Sequence, residues 1–345
     1  MAALVQLHER RPRAGLHARA LNRSGTHCVT ARGDLIEVHA LATWQLERRF
    51  PHAGRCLGLA LSDDASRVLV LVDRLDIQLL DARGRVVWRS WQVPCGYVEW
   101  NRALGGYHPL ADQRYVALSP DNRAALVRFD GRLRPRPMHP PSLYLCDLSD
   151  KRPPRSIELD HGVLFSPDGR WIPRLHESGG VQLWDWRQDV YEPPMRPRDA
   201  NTEMFKSGDG FRQHDPVRGR PPPPGACWPD KSYTRPPESY AASYGHSVLA
   251  WTRRELLEVG PLRGPDYASI RAQFLSNARA LAVDYSGELL ACATYGSVSV
   301  LDLPRRSITS RRTRVNVESL VFGPDGLLYA RRSDNAILGL RVDRP

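Results

Sequence analysis

The chain has 345 residues, 41% of them hydrophobic and 25% charged, which supplies enough apolar material for a sizeable core and excludes wholesale disorder. Its 49 basic residues against 38 acidic ones give a formal net charge of +11, which invites an acidic or nucleic-acid partner, yet only Lys151, Lys206 and Lys231 are lysines, an arginine bias that a GC-rich coding background also produces. No run approaches the roughly 18 apolar residues of a membrane helix, the opening Met1-Ala-Ala-Leu-Val-Gln-Leu lacks the apolar centre of a signal peptide, and Cys28, Cys56, Cys95, Cys146, Cys227 and Cys292 show no Cys-x-x-Cys spacing; the expectation is a cytoplasmic protein with reduced thiols and no structural zinc.

Helical periodicity is nearly absent. Residues 3–9 read as a strand, and from there one unit recurs along the chain: an apolar strand, a tight turn of Ser, Pro, Asp or Gly, and a second apolar strand. In chain order the unit reads Ala20-Leu-Asn-Arg-Ser-Gly25, Leu59-Ala-Leu-Ser-Asp-Asp-Ala65, Val116-Ala-Leu-Ser-Pro-Asp-Asn122, Val163-Leu-Phe-Ser-Pro-Asp-Gly169, Met204-Phe-Lys-Ser-Gly-Asp-Gly210, Ala282-Val-Asp-Tyr-Ser-Gly287 and Leu320-Val-Phe-Gly-Pro-Asp-Gly326. A second marker follows each turn, a strand often closing on an acid: Leu35-Ile-Glu-Val38, Ile77-Gln-Leu-Leu-Asp81, Leu143-Tyr-Leu-Cys-Asp147, Val181-Gln-Leu-Trp-Asp185, Val248-Leu-Ala-Trp251, Val298-Ser-Val-Leu-Asp302 and Ile337-Leu-Gly-Leu340. Both markers occur seven times in the same order, and the shortest turn-to-turn steps cluster near 40 residues.

The period, the strand alternation and the turn chemistry resemble the WD40-repeat family across essentially the whole chain. Phe165-Ser-Pro-Asp-Gly169 followed by Val181-Gln-Leu-Trp-Asp185 matches its pattern literally, with Trp184 and Asp185 in the dipeptide position. The family's His, Ser/Thr, Asp and Trp set within each blade is mostly missing here; His52 and Asp334 sit at its spacings, but in different blades. The resemblance implies an all-β, seven-bladed propeller of four-stranded antiparallel blades. Approximate blades are 12–53, 54–95, 110–159, 160–195, 200–264, 268–312 and 313–345, the last completed by residues 3–9, because the seventh blade has no room for an outer strand of its own. This makes one continuous domain.

In such a ring the turn between first and second strands opens on one face, while the links from second to third strand and from blade to blade open on the other. Three insertions, at about 92–113, 128–141 and 212–243, are therefore expected on one face, where a rigid scaffold usually carries its binding residues. The first supplies Tyr97, Trp100 and Tyr107. The second holds Arg132, Arg134 and Arg136 with alternating prolines that favour an extended, arginine-displaying backbone. The third holds Pro221-Pro-Pro-Pro224 and adds Trp228, Tyr233 and Arg235. Trp, Tyr and Arg are the types enriched at interface hot spots, so these nine residues form the candidate partner-binding set. Trp184, Asp185, Asp168 and Asp325 are read as structural.

Walker, Rossmann, nucleophile-elbow and His-Glu-x-x-His motifs are absent from the sequence, and the loop histidines His108, His139, His214 and His246 lack ligand spacing, so no catalytic residue, metal or cofactor is assigned. The leading expectation is a non-catalytic, protein-binding scaffold whose partner has an acidic surface. Two alternatives stay open: a lyase or hydrolase with a loop-built site at the channel mouth, whose groups leave no local motif, and nucleic-acid binding through the arginine-rich loop.

Overall fold

A computed structural model describes residues 3–10, 16–52, 54, 56–72, 76–90, 116–129, 142–150, 152–157, 164–176, 181–194, 196–197, 203–204, 206–207, 240–242, 248–253, 256–261, 266–271, 278, 280–294, 296–305 and 307–343. The described residues contain no helix, and so none long and apolar enough to cross a membrane.

Strand β1 (Ala3–Arg10) opens the chain. Blade one is β2 (Leu16–Leu21), β3 (His27–Arg32), β4 (Leu35–Ala40) and β5 (Leu46–Pro51); blade two is β6 (Cys56–Leu61), β7 (Val68–Val72), β8 (Asp76–Leu80) and β9 (Val86–Ser90). Blade three is β10 (Val116–Leu118), β11 (Ala124–Phe129), β12 (Ser142–Asp147) and β13 (Arg155–Ile157), and blade four is β14 (Trp171–Leu175), β15 (Val181–Asp185) and β16 (Val190–Tyr191). Three short strands follow: β17 (Arg196–Pro197), β18 (Glu203–Met204) and β19 (Lys206–Ser207). Blade five is β20 (Tyr240–Ala242), β21 (Val248–Arg253), β22 (Leu256–Pro261) and β23 (Asp266–Arg271). Blade six is β24 (Ala280–Val283), β25 (Leu289–Thr294), β26 (Ser297–Asp302) and β27 (Ser307–Arg312); β28 (Val317–Phe322), β29 (Leu327–Arg332) and β30 (Ile337–Asp343) make blade seven with β1.

Each blade is an antiparallel meander, and alternate residues of its strands pack against the blades on either side. Ala18, Ala20, Val29 and Val38 meet Leu59, Leu61, Val68 and Val70 between blades one and two, for instance, while Leu21, Cys28 and Leu41 on the other side of blade one meet Val321, Tyr329 and Ile337 of blade seven. Burial pushes the Cys28 thiol up to about 11 and those of Cys56, Cys146 and Cys292 to about 12, so all four pack as small apolar groups and are poor nucleophiles.

The two sequence markers have a hydrogen-bonding basis. Asn22, Ser62, Ser119, Ser166 and Asp284 each begin a turn whose fourth residue has positive φ, from 57° at Ala65 to 75° at Gly287. In each, the side-chain oxygen of the first residue accepts the backbone N–H five residues on, at 2.8 to 2.9 Å, as from Trp171 to Ser166 Oγ. The acids closing the third strands cap the next turn: Asp81 accepts from the N–H groups of Arg83 and Arg85, both at 2.9 Å, and Asp185 from those of Arg187 and Gln188 at 3.0 and 3.1 Å.

One expectation holds in part and another needs correction. Six of the seven sheets contain four antiparallel strands, but the sheet of blade four has three among the described residues. The residues before Leu164, where its first strand is expected, lie outside them. Blade five, moreover, does not start at the turn-like Met204–Gly210. Glu203–Met204 and Lys206–Ser207 instead run parallel to the outer strands β23 and β27, and Val248–Arg253 is the second strand of its blade, not the third. A turn marker needs an apolar strand on each side, and the sequence after Gly210 supplies none before Tyr240. The Pro-rich insertion therefore links blades four and five.

β1 lies antiparallel on β30, from Ala3 opposite Asp343 to Arg10 opposite Ile337. Arg311 holds it from blade six, donating to Leu4 O and to Gln6 Oε1, both at 3.2 Å, and Arg332 pairs with Glu9 at 3.2 Å. Removing residues 1–11 should lower the midpoint of thermal unfolding by about 5 °C or more, since the last blade loses its outer strand and the buried Leu4. An unchanged midpoint would show that the strand contributes nothing.

The same strand makes closure pH-sensitive. The His8 ring lies directly over Gly339, where a Cβ would come within 2.8 Å of Nδ1 and nearer still to Cε1 and Nε2. Desolvation, and secondarily the Arg10 charge, hold the His8 pKa below its usual 6.5, with Asp325 opposing. The neutral ring is thus favoured by folding, and its contribution is complete above pH 6.5 and lost as the pH falls below it. His8→Gln should flatten the decline in thermal midpoint between pH 7.5 and 5.5; an unchanged slope would remove His8 from the account.

Candidate interaction face

Antiparallel order gives the disc two unlike faces. On one lie the turns between first and second strands; on the other lie the ends that carry the insertions, from Ser90 to Val116, Phe129 to Ser142 and Tyr191 to Tyr240. The first two insertions thus leave and re-enter on a single face, and the third re-enters on it at Tyr240, after Lys206–Ser207 run beside Ser307–Ile308 at the other end of β27. Tyr97, Trp100, Tyr107, Arg132, Arg134, Arg136, Trp228, Tyr233 and Arg235 themselves lie outside the described residues, as do His108, His139, His214 and His246.

The opposite face is described in detail, and its centre is occupied by the chain itself. Arg23, in the first turn of blade one, donates through Nη1 to Phe165 O at 2.8 Å and Ser166 O at 3.0 Å in blade four, across the ring. Its neighbours reach other blades: Ser24 Oγ donates to Asp63 O at 2.8 Å and Asn22 Nδ2 to the same oxygen at 3.1 Å, in blade two. Tyr285 of blade six donates through its hydroxyl to Ser24 O at 2.6 Å. Gly25 lies against Phe322 and Gly323 of blade seven. One four-residue turn therefore touches blades two, four, six and seven. Desolvation pushes the Asp63 carboxyl pKa up, partly countered by the Arg23 charge.

The four residues expected to be structural are all described. Trp184 is 1% exposed and packs with Ala124, Leu126, Leu143, Leu145, Phe165 and Ile172, between blades three and four. Asp185 accepts from Arg170 Nε at 2.5 Å in addition to its turn-capping bonds, and these hold its pKa below the usual carboxylate range against the opposing desolvation. Asp168 accepts from Ser166 Oγ, and Asp325 accepts from the Tyr329 hydroxyl at 2.6 Å. Blade four also stacks arginine on aromatic rings repeatedly, with Arg170 over Trp171 at 4.7 Å, Arg155 over Trp184 and Arg174 over Tyr191 at 5.2 Å, and Arg187 over Trp186 at 5.3 Å. Several of these arginines also meet acids, Arg155 with Asp189 at 3.1 Å among them, so part of the arginine excess serves packing.

The hub turn around Arg23 was not singled out from sequence. Its signal is weak: Asn22-Arg-Ser-Gly25 is the most degenerate of the turns, and that an arginine there spans the ring follows from closure alone.

No family model matches the chain, and no curated protein matches it. Among solved structures it resembles the crystal structure of the Myceliophteria thermophila Cps50 (Swd1) beta-propeller domain, with a TM-score of 0.61 over 99% of this chain and 100% of that one, at 12% identity. The chain has the fold of a WD40-like β-propeller. At that identity the likeness carries the architecture and nothing about binding. For this propeller, the resemblance in turn and strand-end chemistry thus extends to the whole architecture, although the sequences have little in common.

Proposed function

We propose that this WD40-like propeller is a non-catalytic, cytoplasmic scaffold: one continuous ring of seven blades that binds another protein through the face carrying the insertions. The observation behind this reading is the asymmetry of the disc. One face has its centre filled by the chain's own Arg23 hub, and the strand ends that border the first two insertions, with Tyr240 after the third, lie on the other. The aromatic residues Tyr97, Trp100, Tyr107, Trp228 and Tyr233 form the anchoring set, and Arg132, Arg134, Arg136 and Arg235 form a cationic rim suited to an acidic partner surface.

The test begins with capture of partners from the native host after nuclease treatment, followed by kinetics with the purified partner. Replacing Arg132, Arg134 and Arg136 by glutamate should slow association at least tenfold and flatten its salt dependence, whereas Trp228→Ala should mainly speed dissociation. Asp168→Ala and Asp325→Ala, on the opposite face, should leave both rates unchanged. Loss of binding through those two, with normal binding by the loop variants, would reverse the assignment of faces. Capture abolished by nuclease, with a steep salt dependence, would support the nucleic-acid reading instead.

A further inference from the structure

Arginine is unevenly distributed over the strand ends of the disc. The second and fourth strands of a blade run toward the insertion-bearing face and end there. In blades six, seven and one these ends are Thr294, Arg312, Arg332, Arg10, Arg32 and Pro51; in blades two, three and four they are Val72, Ser90, Phe129, Ile157, Leu175 and Tyr191. Arginine thus supplies four of six ends in the first sector and none in the second. The links that follow the outer strands of the first sector, 313–316, 11–15 and 52–55, add Arg314, Arg11, Arg13 and Arg55 and contain no Asp or Glu.

The chain leaves these charges displayed. Arg10, Arg32, Arg312 and Arg314 are exposed, and none of them meets a carboxylate among the described residues. Arg332 takes up two of the sector's acids, pairing with Glu9 at 3.2 Å and also with Asp334, and Glu318 holds the buried Arg331 at 3.0 Å. Beneath the same blade-seven turn lies Arg19, only 6% exposed, whose Nη1 donates to Asn335 O and which likewise meets no carboxylate among the described residues. Its field adds to that of the exposed four, because a charge removed from water is screened little.

We infer that the strand ends of blades six, seven and one form a cationic arc that receives an extended acidic segment of the partner protein, with Arg10, Arg32, Arg312 and Arg314 pairing with its Asp and Glu carboxylates. The inference rests on the reading of this face as the binding face, and it adds a sector that carries none of the three insertions. An acidic segment fits the arc better than nucleic acid does. Duplex DNA, with a persistence length of about 150 base pairs, is too stiff to follow ends set around a ring of blades. A single strand is held largely by stacking on aromatic rings, and the described ends and links of this sector include no Trp, Tyr or Phe. A flexible peptide follows the arc and needs only carboxylates at intervals.

A fluorescent Glu-Ser-Glu-Ser-Glu-Ser-Glu-Ser peptide serves as the probe of the intact protein, with the matching Lys-Ser peptide and a single-stranded oligonucleotide as controls. The acidic peptide should bind, and bind at least about tenfold more weakly to the Arg32→Ser/Arg312→Ser/Arg314→Ser variant. Arg83→Ser/Arg123→Ser/Arg152→Ser removes the same charge from exposed positions on the opposite face and should change the affinity less than about twofold. Three results would overturn the inference: no binding of the peptide, equal weakening by the two triple variants, or tighter binding of the oligonucleotide with the same dependence on the arc arginines. All six positions are exposed, and an unchanged thermal midpoint will show that each variant folds; should the arc triple fail to fold, Arg312→Ser/Arg314→Ser carries the test. Partner binding lost with the glutamate variant of Arg132, Arg134 and Arg136 but unchanged with the arc variant would sink this inference and leave the proposed function standing.

Discussion

Trp184→Ala should destabilise the protein by about 3 to 5 kcal/mol, the range for truncating a buried tryptophan. The ring is almost wholly buried between blades three and four, stacks on Tyr191 at 6.0 Å with Arg155 on it at 5.2 Å, and donates from Nε1 to Asp189 Oδ1 at 3.0 Å. Alanine leaves a cavity lined by Leu126, Leu143, Leu145, Phe165 and Ile172 on strands too regular to collapse into it, and it takes a donor from Asp189. Denaturant unfolding gives the measurement. A loss under 1 kcal/mol, with partner binding abolished, would show that Trp184 is an exposed anchor and not a wedge between blades.

Gly25→Ala is expected to cost at least about 3 kcal/mol, combining the left-handed backbone penalty with overpacking. Gly25 has φ +65°, and a Cβ there would fall against Phe322 O and within 2.7 Å of Gly323 Cα and 2.8 Å of Gly323 N. These are backbone atoms of the blade-seven turn and cannot swing aside as a flexible side chain would. Blade one's turn would have to withdraw, loosening its bonds to Asp63, Tyr285, Phe165 and Ser166 together. Gly33→Ala is the matched control, because Gly33 has φ +59° with nothing within 4 Å of its Cβ position and should show the backbone penalty alone. Equal losses in the two variants would mean that the hub turn is not packed against blade seven.

What the sequence by itself determined is local. Five turns begin on a side chain that accepts a hydrogen bond from within its own hairpin, and the strand-closing acids cap a turn two to four residues away, so fixed residue types recur at fixed spacing and the blades can be counted. The pairing of residues 3–9 with the last blade was legible for a related reason: a blade lacking an outer strand and an apolar strand lacking a blade imply one another. Met204–Gly210 imitates the turn in composition, and only the long-range parallel pairing of Lys206–Ser207 with Ser307–Ile308 shows that these two residues lie on the rim. Arg23 likewise carries no mark of reaching Phe165, 142 residues away. Ring closure sets blade one opposite blade four, and contacts between distant turns are decided by that tertiary geometry, because neither partner's local conformation depends on the other.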